Sequence, residues 1–87
     1  MEKELMELMV SGFKMSDIIG LAKYVGIEGK ELQDLVGKVF MQETDAIQNL
    51  IVETVFRFTL MNRMQKRKTM KMCRDIVAAN QEVADNG

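Results

Sequence analysis

Apolar residues recur at three- and four-residue spacing along almost all of this 87-residue chain, and no proline interrupts them. That rhythm places them on one side of an α-helix, which turns once in about 3.6 residues. A half-buried strand needs strict alternation instead, and no Asn-Gly or Asp-Gly pair sits between alternating apolar runs. Nine methionines add intrinsic helix preference. The expected fold class is all-α: one small compact helical domain over residues 1–87, of four to five helices with a long central helix.

The stripes can be followed one by one. Leu5, Met6, Met9 and Val10 define a first helix that Ser11-Gly12 should stop. Ser16 is placed to cap a second, with Asp17 favourable against its dipole, and Ile18, Ile19, Leu21, Ala22 and Val25 form its apolar side. Gly26 suits the left-handed conformation that ends a helix, and Gly29 adds a second flexible point. Beyond Glu31, Leu32, Leu35, Val36, Val39 and Phe40 continue the pattern. Gly37 inside it costs up to about 1 kcal/mol relative to alanine unless a neighbouring helix packs closely there. Thr44-Asp45 either caps a new helix or is run through by one long helix across 31–65. Ile47, Leu50, Ile51, Val55, Phe58 and Met61 then follow, and Val52, Phe56 and Leu60 widen the face so far that it needs cover from more than one side. Thr69 is a candidate cap for a last helix carrying Met70, Cys73, Ile76, Val77 and Ala79 or Ala84.

A chain this short buries only about 60–65% of the surface its unfolded form exposes, so its stability margin is thin. A single cysteine, Cys73, forms no internal disulfide, and without histidine it cannot complete a four-ligand structural zinc site. Oligomerisation is the remaining staple. The expectation is a homodimer made by Ile47, Leu50, Ile51, Val55, Phe58 and Met61. The lone thiol fits a reducing compartment, no apolar run approaches the about 18 residues of a membrane span, and Met1-Glu2-Lys3-Glu4 does not start a signal peptide. The expected location is the cytoplasm.

Charge is strongly segregated beneath a net of −1. Residues 1–56 carry five lysines against ten acids, whereas residues 57–74 carry seven bases (Arg57, Arg63, Lys66, Arg67, Lys68, Lys71, Arg74) and no acid. A block of that density suits phosphates, whose contacts give salt-dependent, sequence-independent affinity. It equally suits an acidic protein surface, or pairing with the acidic first half of the same chain. No aromatic residue follows Phe58, so the block has no platform for stacking unpaired bases.

From Ile18 to Leu35 the chain reads IIGLAKYVGIEGKELQDL. This resembles the helix-turn-helix segment of small bacterial and phage DNA-binding regulators, with Ala22 where the two helices meet, Gly26 in the turn, Ile27 after it, and Leu32 and Leu35 beneath the second helix; Leu21 and Val25 are the apolar neighbours. The resemblance implies a recognition helix that offers Lys30 and Gln33 to bases. Glu28, Glu31 and Asp34 make that helix more acidic than the family's usual pattern. The stretch ending near Gln65, with Arg67-Lys68-Thr69 and Asp75-Ile76 after it, also resembles the second helix, loop and third helix of a histone fold. That resemblance implies phosphate contacts from Arg67, Lys68 and Thr69. Its spacing from Thr69 to Asp75 is one residue longer than the family's.

Little in the composition suits catalysis. With no histidine, a base working near neutral pH would have to be a strongly shifted carboxylate, lysine or thiol, and Ser11 and Ser16 have nothing to activate them. Cys73 beside Arg74 is either reactive or a small buried hydrophobe. No glycine spacing matches a phosphate-binding loop. The sequence thus points to a protein with no enzymatic role, cofactor, metal or small-molecule substrate. Two functions stay open. One is a dimeric nucleic-acid-binding regulator using Arg63, Lys66, Arg67, Lys68, Lys71, Lys30 and Gln33; the other is a helical adaptor or inhibitor whose basic block docks an acidic protein.

Overall fold

The computed structural model describes residues 1–86, with side chains described as far as Val83. It contains five helices and, among those residues, no strand: α1 (Glu2–Gly12), α2 (Met15–Tyr24), α3 (Gly29–Phe40), α4 (Ala46–Thr59) and α5 (Arg63–Asn86). The side chain of Ala84, offered above for the last apolar face, and the whole of Gly87 lie outside what is described.

The long central helix is not formed. Its two halves separate at residues 41–45, where Gln42 (φ 58°) and Asp45 (φ 63°) both take the left-handed conformation, which an α-helix cannot carry through. The longest helix is instead the last, α5, at 24 residues. Thr69 does not cap it. Asn62 does: its Oδ1 accepts the Gln65 N–H at 2.8 Å, and Gln65 Oε1 accepts the Asn62 N–H in return at 3.4 Å. Thr69 lies inside the helix, fully buried, and its hydroxyl donates to the Gln65 carbonyl at 2.7 Å. The histone-like loop at 67–69 is therefore helical. Ser16 is not a cap either; α2 begins after Lys14, and Asp17 Oδ2 accepts the Lys14 N–H at 3.0 Å.

Around α4 the other elements assemble. Leu50, Ile51, Val55 and Phe58 face inward and meet Leu5 and Met9 of α1, Ile18, Leu21 and Ala22 of α2, and Met70 and Cys73 of α5 in one apolar cluster. The α2–α3 turn contributes Ile27, which is fully buried. Helix α3 buries no residue completely, and lays Leu32, Leu35 and Val39 against this core from one side. Burial of a side chain such as Phe58 is worth about 1.5–3 kcal/mol, and within this short chain such residues carry the fold.

The first and last helices lie together. A methyl group added to Gly12 would meet both Val77 γ-methyls at 2.7 Å, so only glycine lets α1 end this close to α5. Asn80 locks the same corner by donating its side-chain N–H groups to the Gly12 carbonyl (2.8 Å) and to Asp17 Oδ2 (2.9 Å). Those hydrogen bonds, Asn80's first, hold the Asp17 carboxyl below its ordinary pKa. At the other end of α1, Glu4 accepts a two-pronged bond from Arg74, Nε and Nη2 each at 2.9 Å. This keeps Glu4 low and Arg74 high in pKa, although both remain well exposed to solvent.

Candidate nucleic-acid interface

Helices α2 and α3 are joined by a turn at residues 25–28. The Val25 N–H bonds the Leu21 carbonyl (2.9 Å), Gly26 bonds Lys23 (3.1 Å) and Ile27 bonds Ala22 (3.0 Å), closing α2 with three nested turns. Gly26 has φ +102°, a conformation L side chains rarely adopt, and Gly29 has φ +59° at the start of α3. Ala22 is fully buried where the helices approach, and Leu32 and Leu35 lie beneath α3. The outer face of α3 presents Lys30, Gln33 and Asp34 to solvent. Gly37 continues that face, with open space where its side chain would be.

The link between this hairpin and the basic block is Arg57, in the last turn of α4. Its Nη2 donates to both Glu31 oxygens (2.9 and 2.7 Å), Nη1 to the Gly26 carbonyl (3.3 Å) and Nε to Glu53 (3.4 Å). One guanidinium thus fixes the turn and the first turn of α3 to the end of α4. It also neutralises Glu31, one of the acids that distinguish α3 from the helix-turn-helix pattern. Only three residues separate α4 from α5, so the start of α5 follows closely on the end of α4 that Arg57 ties to α3.

The basic block divides into paired and unpaired cations. Arg57 and Arg74 are engaged as described, and Lys71 pairs with Asp75 at 3.0 Å across a fully solvated helix turn. Arg63, Lys66, Arg67 and Lys68 make no ion pair among the described residues. Of these, Lys66 is half-buried against Met1, Glu2, Lys3 and Phe58, while Arg63, Arg67 and Lys68 are exposed. Cations in the first turns of a helix oppose its dipole, so this arrangement is not explained by the stability of α5 itself. An anion placed there relieves it.

The residues expected to hold a second copy are largely occupied. Leu50 and Phe58 are completely buried within the single chain, Ile51 and Val55 nearly so, and Met61 is half-buried against the same core. They are spent on folding because α4 is the central helix around which α1, α2 and α3 pack. Only Ile47, in the first turn of α4, keeps a large exposed area. On the solvent side α4 carries Val52 and Phe56, with Leu60 just past its last residue. Between α1 and α4 runs a groove of about 690 Å³ lined by Met6, Val10, Phe13, Ile47, Gln48 and Val52 over a floor of Met9, Ile18 and Ile51.

Cys73 is fully enclosed, and burial pushes its thiol up to about 11 despite the neighbouring Arg74. It is an inert core residue. Among the described residues no three Cys, Asp or Glu side chains converge to hold a metal ion, and no helix is long and apolar enough to cross a membrane. Compared with known proteins, the chain matches no family model, no curated protein and no solved structure.

Proposed function

We propose that this chain is a small, non-enzymatic nucleic-acid-binding regulator, acting in the cytoplasm as a dimer, that sets α3 against a duplex while the start of α5 holds the phosphate backbone. The Arg57 clamp carries this reading. It ties the α2–α3 turn and Glu31 to the last turn of α4, a short loop before α5, where Arg63, Arg67 and Lys68 make no ion pair among the described residues; this supports reading α3 and the start of α5 as one surface. Phosphate contacts supply affinity and position, and contacts from α3 to base edges supply sequence preference. Lys66 and Lys71 take a smaller share, the first turned toward α1 and the second paired.

The test is binding of the purified protein to a mixed-sequence duplex at about 50 and 200 mM salt. About four phosphate contacts, drawn from Arg63, Arg67 and Lys68 with Lys66 and Lys71, should weaken binding by roughly two orders of magnitude over that range. Replacing Arg63, Arg67 and Lys68 with alanine should remove most of the affinity and flatten the salt dependence while leaving the helix content unchanged. Absence of binding at the lower salt sinks this reading and leaves the same cations as a docking site for an acidic protein.

A further inference from the structure

The unpartnered apolar surface of α4 has two parts that share one residue. Toward the start of the helix lies the groove closed by Met6 and Val10 of α1 with Ile47 and Val52 of α4. Toward its end lies a ridge, Val52, Phe56 and Leu60, at four-residue intervals along the solvent side. Leu60 and Val10 are each 70% exposed and Phe56 47%, values that an isolated small domain gains nothing by keeping. No charged side chain lines the groove, and none stands within the ridge itself.

We infer that this surface is the contact between two copies of the chain, paired as antiparallel α4 helices across a two-fold axis at Val52. Antiparallel pairing centred on Val52 places Phe56 of each copy opposite Gln48 of the other. That delivers the Phe56 ring into the groove between Ile47, Val10 and Met6. One operation fills both grooves with both ridges, as an isologous interface requires. A foreign helix laid in the groove would leave Phe56 and Leu60 in water. The size also fits: Met6, Val10, Ile47, Val52, Phe56 and Leu60 together expose on the order of 600 Å² per copy, so a pair buries at most ~1,200 Å², the lower edge of a stable specific interface. This inference rests on the proposed function for the two-copy state, and replaces the buried residues Leu50, Ile51, Val55 and Phe58 as the surface responsible.

The experiment is molar mass by light scattering at about 200 µM chain, without nucleic acid. The wild-type chain should run at twice its 9.9 kDa, and Phe56→Glu should halve that mass with helical circular dichroism unchanged. A wild-type mass of one chain, or a doubled mass that Phe56→Glu leaves intact, overturns the inference. A second variant decides the matter even if Phe56→Glu does not fold. With Cys73 enclosed, Val52→Cys supplies the one accessible thiol and should cross-link two copies under mild oxidation at least ten times faster than Asp34→Cys, which is exposed on α3, a helix that lines no part of the groove. Equal rates overturn it. Because no duplex is present, failure here leaves the phosphate-binding reading standing, and failure of duplex binding leaves the interface standing.

Discussion

Gly26 and Gly37 both have empty space where a side chain would sit, and they should respond oppositely to alanine. At Gly26 the positive φ is the whole objection, so Gly26→Ala should cost about 1–2 kcal/mol by urea denaturation with no steric contact made. Gly37 lies within a regular helix and faces open space, so no closely packed neighbour offsets the cost expected of it. Gly37→Ala should therefore raise stability by about 0.5–1 kcal/mol, and in the same preparation should weaken duplex binding if the α3 face lies against DNA. Asn80 is the third position where one side chain decides an outcome. Removing it with Asn80→Ala deprives Asp17 and the Gly12 carbonyl of their donor and should cost about 1–2 kcal/mol at neutral pH. Asp17 is held below its ordinary pKa, so its contribution is complete above the usual carboxylate range and is lost as pH falls through the lowered value. In Asn80→Ala that value returns upward, and acid unfolding should start at a higher pH than in the wild type.

Helices α1 and α2 lie where their apolar stripes put them because periodicity is a local property, read within ten or so residues. The Asn62–Gln65 cap follows the same logic, a capping residue with glutamine three positions later, whereas a cap at Thr69 needs a break among the bases that does not form. Asn62→Ala should cost about 1 kcal/mol, whereas Thr69→Val, which keeps the shape and removes a hydroxyl bonded only within its own helix and to a sulfur, should change stability by less. What periodicity does not supply is the choice between faces. Helix α4 has a wide apolar face broken by Asn49, Glu53 and Arg57, and nothing in its sequence says that Leu50 and Phe58 turn inward while Phe56 and Leu60 turn out. Side-chain ties between distant positions are equally silent: Arg57 reaches Glu31 across 26 positions, Asn80 reaches Asp17 across 63, and Arg74 reaches Glu4 across 70. The cluster of bases was visible as composition, but only the tertiary fold sorts it into paired and unpaired members.

Across the whole molecule the five helices share one core centred on α4, and truncation there tests it. Leu50→Ala and Phe58→Ala should each destabilise the chain by about 2–5 kcal/mol, visible as loss of cooperative thermal unfolding, because each empties the centre of the core. The order of assembly follows from where the ends meet. Helices α2, α3 and α4 are neighbours in sequence and in space, joined by the Arg57 clamp, and can collapse over short loops. Leu5 and Met9 are different, since part of their cover, Met70 and Cys73, lies more than sixty residues away. On a ribosome that cover reaches them only when α5 has cleared the exit tunnel. Until then α1 is an amphipathic helix with half its neighbours missing, and the Gly12–Val77 contact is the latch that closes last.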